Sequence, residues 1–337
     1  MSEPPAIRLD RLGKRFRVNQ REGGLLPALR ALFHRDWVEV DAVRELSFAI
    51  PAGQRVGFLG PNGAGKTTTL KLLAGLLHPT SGRAEVLGHE PAKREHAFLR
   101  RIALVMGQKR QLSWDLPALD TFELLRVAYD VERPVYQTRL AELTDLLELA
   151  EVVRKPVRTL SLGERMKCEV VAALLHGPQV LFLDEPTIGM DVSMQLAMRE
   201  FVREYNRRTG ATIVLTSHYM EDVAALCERI IVIDGGALRF DGSIDALVRE
   251  IRPLRRVSVR ADALPDLERL AALGNAILIE PPRLELDVAP DRVSEAVALL
   301  IGLPGSRDLA VADAPLEEVM RELFSRTADA ADAEVES

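Results

Sequence analysis

A chain of 337 residues exceeds one ordinary domain and suits a large domain followed by a smaller one. Hydrophobic residues at 47% and charged residues at 28% imply a packed core along most of the length, while a net charge of −6 offers no global attraction to a nucleic-acid backbone, so no nucleic-acid partner is expected. The two cysteines, Cys168 and Cys227, read as buried thiols of a reducing compartment, and no apolar run approaches the ~20 residues that cross a bilayer; the expectation is a cytoplasmic chain without a pore of its own.

After a short polar start, Met1–Pro5, the segments Ile7–Val18 and Val38–Ile50 alternate apolar and polar residues and predict strands. Between them, an insertion over 19–37 places Leu25, Leu26, Leu29, Leu32 and Phe33 on one face of a short basic helix. That face suits either a membrane or protein partner, or the chain's own β-subdomain. Gln54–Leu59 predicts a buried strand, Thr67–Leu77 a helix and Arg83–Gly88 another strand. From about 91 to 177 a helical pattern dominates, strongest over Leu119–Tyr129, Tyr136–Leu149 and Leu162–Leu175.

Val180–Leu183 and Thr212–Thr216 are short apolar strands flanking a helix, Ser193–Arg208, the pattern of a parallel α/β sheet. Arg229–Asp234 and Ala237–Asp241 predict a closing hairpin, followed by a helix over Ile244–Ile251. The first domain is therefore expected over 6–252. Beyond it, 253–326 reads strand, helix, strand, strand, helix, strand, helix, which predicts a small α+β module of ferredoxin-like βαββαβ order. Its expected role is accessory or dimer-stabilising, and 327–337, rich in Ala, Asp and Glu, is expected to be a disordered tail.

The first chemical motif is Gly60-Pro61-Asn62-Gly63-Ala64-Gly65-Lys66-Thr67, set between a strand and a helix. Glycines free backbone N–H groups to wrap a polyphosphate, and the helix N-terminus adds partial positive charge. Lys66 suits the β- and γ-phosphates, and Thr67 suits Mg²⁺, with Thr68 beside them. ATP and Mg²⁺ are the expected ligands. A second strand, Val180–Leu183, delivers Asp184 and Glu185 where it leaves the sheet, beside the phosphate loop if the two strands are neighbours. There Asp184 suits the metal and Glu185 the attacking water, although adjacent acids after a strand are otherwise ordinary surface charge.

These elements and their order resemble an ABC transporter ATPase. Leu160-Ser-Leu-Gly-Glu is similar to that family's signature, Asp191 falls at its D-loop, Gln108 at its Q-loop glutamine and His218 at its switch histidine. The resemblance covers about residues 6–245 and implies a P-loop ABC ATPase fold: a RecA-like parallel core, an antiparallel β-subdomain and a helical subdomain. It also implies catalytic roles for Glu185, His218 and Gln108, metal contacts from Thr67, Asp184 and Gln108, and adenine stacking on Phe16. Ser161 and Gly163 of a second, head-to-tail ATPase subunit, identical to this one or not, with Asp191, are implied to complete each nucleotide site. Ser161 and Glu164 also have the spacing of a helix capping box, whatever else they do.

The resemblance further implies an integral-membrane permease partner, docked near Trp114, that holds the subunit at the inner face of the plasma membrane. The tail module and the Arg165-Met-Lys-Cys run are most similar to ATPase subunits of bacterial drug or polymer exporters. An importer with a cargo-sensing module is the alternative, and a DNA-repair or translation ATPase is the alternative of another class. Leu162 and Glu164 depart from the family's usual glycine and glutamine, and Phe16 from its usual tyrosine.

Overall fold

The computed structural model describes residues 4–19, 37–107, 111–262, 267–280 and 282–335. It divides into two units, residues 1–241 and 242–337.

In the first unit, β1 (Ile7–Asn19) and β2 (Trp37–Ile50) form a long antiparallel pair, with β4 (Ser81–Val86) on the other side of β1. The alternation along β2 buries Leu46, Phe48 and Ile50 on one face, and a register shift between Leu46 and Val43 brings Val43 into the same core. These residues pack in one core with Val56 and Phe58 of β3 (Arg55–Leu59) and Leu70 and Leu72 of α1 (Lys66–Leu73). Each such fully buried side chain contributes about 1.5–3 kcal/mol. Helix α1 stops earlier than its apolar pattern suggests, because Gly75 turns left-handed with φ +70° and the amides of Leu76 and Leu77 fold back onto the Lys71 carbonyl. The expected insertion is bracketed by the paired strand ends Asn19 and Trp37; its interior, 20–36, lies outside the described residues.

The central six-stranded sheet has the order β5-β6-β7-β3-β8-β9, where β5 is Ile102–Met106, β6 Val180–Asp184, β7 Thr212–Thr216, β8 Arg229–Asp234 and β9 Ala237–Ser243. The pairs from β5 through to β8 are parallel. The strand carrying Asp184 is not the neighbour of β3, since β7 lies between them. And the region 91–177 is not wholly helical, because β5 leaves it to form the sheet edge; short α2 (His96–Leu99) precedes that strand. The helical part proper comprises α3 (Ala118–Ala128), α4 (Arg133–Leu146) and α5 (Leu162–Leu174). Helices α6 (Val192–Thr209) and α7 (Met220–Leu226) then flank β7 in sequence.

The second unit begins with α8 (Ile244–Ile251), capped by the Ser243 hydroxyl, which accepts from the Ala246 amide at 3.1 Å. Strand β10 (Arg255–Arg260), α9 (Leu267–Leu273), β11 (Gly274–Glu280), β12 (Arg283–Val288), α10 (Val293–Ile301), β13 (Arg307–Asp313) and α11 (Leu316–Val335) follow. The sheet order is β11-β12-β10-β13 with every neighbour antiparallel, the arrangement of a split βαβ unit. Val257, Val259, Leu284, Leu286, Leu270 and Leu300 share its core. The division falls at Asp241/Gly242 rather than at 252/253, because α8 packs on α11 and belongs to this unit. The C-terminal residues expected to be disordered continue α11 as far as Val335, where Ala328, Ala330, Ala331 and Ala333 supply strong helix formers.

Candidate functional site

Parallel pairing puts the ends of β3, β6 and β7 on one edge of the sheet, and the register sets Asp184 opposite Thr216. The loop Gly60–Gly65 leaves β3 there and enters α1. Two of its glycines are required by close approach. A Cβ on Gly60 would collide with the Ile233 carbonyl, and one on Gly65, whose φ is +101°, with the Ala42 carbonyl. Asn62 and Gly63 stay exposed, Ala64 is buried, and Pro61 and Thr68 are half-buried.

Lys66 opens α1 and is 93% buried, with its Nζ donating to the Gly60 and Pro61 carbonyls at 2.6 and 3.0 Å. Burial lowers its pKa, opposed by the nearby carboxylates of Glu185 and Asp184. Next to it, the Thr67 hydroxyl donates to Asp184 Oδ2 at 2.8 Å, and the Thr216 hydroxyl donates to Oδ1 at 2.7 Å. Asp184 therefore reaches the phosphate loop across the width of β7. Two hard oxygen donors, a hydroxyl and a carboxylate, fit a Mg²⁺ ion.

Glu185 stands where β6 ends and carries a left-handed backbone, φ +55°, that a side-chain-bearing residue rarely holds. Its amide donates to both the carbonyl and the hydroxyl of Thr216, at 3.1 Å each. Gly107 packs against its carbonyl so closely that a Cβ there would collide. The Glu185 carboxylate meets His218 Nε2 at 2.8 Å. Both line a cavity of about 220 Å³ with Thr187, Ile188, Ser217 and Tyr219. Thr67, Asp184, Thr216, Glu185 and His218 thus form one continuous line of contacts.

The other expected residues gather elsewhere. Ser161 caps α5 in a complete capping box: its hydroxyl accepts from the Glu164 amide at 3.2 Å, and the Glu164 carboxylate accepts from the Ser161 amide at 2.8 Å. That backbone bond, reinforced by the hydroxyl, holds the Glu164 carboxyl below its usual pKa. Asp191 caps α6 by accepting from the Met194 amide at 2.8 Å, and Met194 fills the space above Gly163. Leu162, 41% exposed, packs on Gly189. Phe16 is half-buried on β1, with Lys14 Nζ 5.1 Å from its ring centre. Gln108 lies outside the described residues, although the Gly107 amide just before it donates to the Asp184 carbonyl at 2.9 Å.

Sequence reasoning missed Thr216, which bridges both acids, and Asp222, which is fully buried and accepts from Thr187, Ser217 and Arg199. The polar end of an apolar strand was the available signal for Thr216. Asp222 carries none, since an acid in the first turn of a helix is ordinarily solvated.

The sequence profile of the family described as ABC transporter matches residues 43–188. The doxorubicin resistance ATP-binding protein DrrA of Mycobacterium tuberculosis (strain CDC 1551 / Oshkosh) is 32% identical over 256 residues, covering 76% of each chain. The Nod factor export ATP-binding protein I of Ralstonia nicotianae (strain ATCC BAA-1114 / GMI1000) is 33% identical over 234 residues, covering 69% of this chain and 72% of that one. Among solved structures, the dimeric ATP-binding cassette MJ0796 in a post-hydrolysis state bound to ADP and Pi matches in fold, with a TM-score of 0.58 and 22% identity over 70% of this chain and 98% of that one. With the Gly60–Thr67 loop, the paired acids Asp184 and Glu185, and His218 on one sheet edge, the chain belongs to the ABC transporter ATP-binding proteins, which bind and hydrolyse ATP.

Proposed function

We propose that this subunit powers export of a substrate through a separately encoded integral-membrane permease, held by it at the inner face of the plasma membrane. The reading rests on the continuous line Thr67–Asp184–Thr216–Glu185–His218, which provides for ATP hydrolysis but holds no group suited to a second substrate. Relatives whose names specify doxorubicin resistance and Nod factor export favour the outward direction.

In this reading, the phosphate chain of ATP displaces the Lys66 ammonium from the Gly60 and Pro61 carbonyls and draws it to the β- and γ-phosphates. Thr67, Asp184 and Gln108 would hold Mg²⁺, which would supply positive charge to the phosphates of ATP. Glu185 orients a water and takes its proton as the water oxygen bonds to the γ-phosphorus and the bond to ADP breaks. His218, 2.8 Å from that carboxylate, holds the γ-phosphate side of the site. Phe16 stacks on adenine, and Ser161 and Gly163 at the start of α5 of a head-to-tail second copy close over the γ-phosphate, with Asp191 at the same seam.

Exposed apolar side chains on α3 and in the segment just before it, Trp114, Leu116, Leu124 and Val127, suit the permease contact. The test is affinity purification of the full chain from the membrane fraction, followed by transport in inverted vesicles. An integral-membrane protein co-purifying, and ATP-driven accumulation of its cargo inside inverted vesicles, is the expected result. A chain that hydrolyses ATP but recovers no membrane partner, or drives cargo out of inverted vesicles, overturns the export reading.

A further inference from the structure

The fully buried carboxylate of Asp222, in the first turn of α7, lies behind the cavity floor rather than in it. It accepts from the Thr187 hydroxyl at 2.5 Å, the Ser217 hydroxyl at 2.9 Å and Arg199 Nε at 2.6 Å. Those three donors belong to three different segments. Thr187 lies two residues after Glu185, Ser217 immediately precedes His218, and Arg199 is on α6, the helix that Asp191 caps. The Ser217 hydroxyl also accepts from the Tyr219 amide at 3.0 Å, so the backbone on both sides of His218 is tied to the same carboxylate.

A fully buried charge is costly unless paired and hydrogen-bonded, and here one guanidinium and two hydroxyls meet that need. Thr187 and Ser217 have no other side-chain acceptor among the described residues, so their hydroxyl protons commit to Asp222. Glu185 meanwhile holds a strained left-handed backbone, which persists only when its surroundings over-determine it. The Thr216 contacts fix the start of that segment and the Thr187–Asp222 bond fixes its continuation.

We propose that Asp222 is a positioning residue for ATP hydrolysis: by clasping Thr187 and Ser217 it sets the separation of Glu185 and His218 without touching nucleotide. The inference rests on the reading that Glu185 and His218 act in hydrolysis. Misplacing a reacting group by about 1 Å costs on the order of 10²-fold in rate, whereas the phosphate loop, built on β3 and α1, does not depend on the clasp.

The test removes single donors, because Asp222 itself is central to packing. In the full-length chain, Thr187→Val should lower kcat for ATP by about 10- to 100-fold, leave the Kd for ATP within about twofold, and leave the melting temperature near that of the parent. Thr187→Ser, which restores the hydroxyl, should recover most of the rate. If Thr187→Val does not fold, Ser217→Ala removes the other hydroxyl and carries the same expectation. Combining the two substitutions should cost less than the product of their separate effects, since both act through one carboxylate. Glu185→Gln run beside them separates the two readings. Normal hydrolysis by Glu185→Gln removes the basis of the inference. A slow Glu185→Gln with Thr187→Val at the parental rate, a fall in ATP affinity matching the fall in kcat, or a Thr187→Ser as slow as Thr187→Val, each overturns the clasp alone.

Discussion

The carboxylate of Glu185 meets Nε2 of His218 at 2.8 Å, across the gap between the ends of two parallel strands that are themselves neighbours. The acid stands on a left-handed backbone while the histidine is 45% exposed in its side chain, so the fixed partner is the carboxylate and the adjustable one is the imidazole. That asymmetry suits a group that must hold water in place beside one that must close on a ligand.

Glu185→Gln keeps shape and hydrogen bonding but removes basicity. ATP binding is expected to stay near normal while hydrolysis slows by about 10²–10⁴-fold, so the ATP-bound state should persist. Size exclusion of the variant should then show a dimer with ATP and a monomer with ADP, and a further Ser161→Arg change should abolish the dimer. Hydrolysis at the parental rate, or a dimer indifferent to Ser161→Arg, rejects the composite site.

Glu169 gives a stability prediction inside the helical part. Its buried carboxylate accepts from the amides of Gln111 and Leu112 at 3.0 to 3.3 Å, pinning to α5 the segment that follows Gln108. Glu169→Ala leaves two amides without that acceptor and is expected to destabilise the chain by about 2–4 kcal/mol, while Glu169→Gln retains an acceptor and should cost less. Chemical denaturation of both variants is the measurement. Equal losses would mean that packing, not the amide contacts, sets the value.

Much of the site was legible because its elements are local. The phosphate loop, the two acids after an apolar strand and the Ser161–Glu164 capping box each occupy a few consecutive residues, and each is found where its spacing puts it. The βαββαβ order of the tail was equally visible from strand and helix periods. Strand adjacency was not, because fully apolar parallel strands such as β6 and β7 carry no local mark of which neighbour they take. The roles of Thr216 and Asp222 were hidden for a similar reason, since the Thr216–Asp184 and Asp222–Thr187 bonds join residues 32 and 35 positions apart in sequence. Helix α8 looked like the end of the first domain because its sequence follows β9 directly; only its packing on α11 assigns it to the second unit.

His176 gives a pH dependence. Its ring stacks on Tyr129 at 4.0 Å, Nε2 meets the Ile102 carbonyl at 2.9 Å, and burial lowers its pKa to about 4. The unfolded chain takes up this proton near the ordinary value of about 6.5, so between about pH 6.5 and 4 the unfolded state binds more protons. Stability contributed by the neutral ring is therefore full above about 6.5 and is lost as pH falls to about 4, by up to about 3 kcal/mol. His176→Phe should be less stable at neutral pH, with Ile102 losing a donor, yet show a flatter slope across that window in urea titrations. An unchanged slope excludes His176 as its source.

The chain offers two places to cut between its units, after Asp241 and after Arg252. Ending it after Arg252, as the sequence periods suggest, keeps α8 but removes α11, against which α8 packs. Leu247, Val248 and Ile251, all buried, would then face water, each losing about 1.5–3 kcal/mol of burial. Arg252 would also lose Asp287 and Glu318, which it meets at 2.7 and 2.6 Å. Ending the chain after Asp241 removes α8 together with α11. Both truncations retain Gly60–Thr67, Asp184, Glu185 and His218, so both should bind ATP when folded. The chain ending at Arg252 should elute as soluble aggregate or melt at lower temperature than the chain ending at Asp241, and light scattering with thermal unfolding would read the difference. If the longer truncation is instead the more stable and monodisperse, α8 belongs with the first unit and the boundary at 252 is restored.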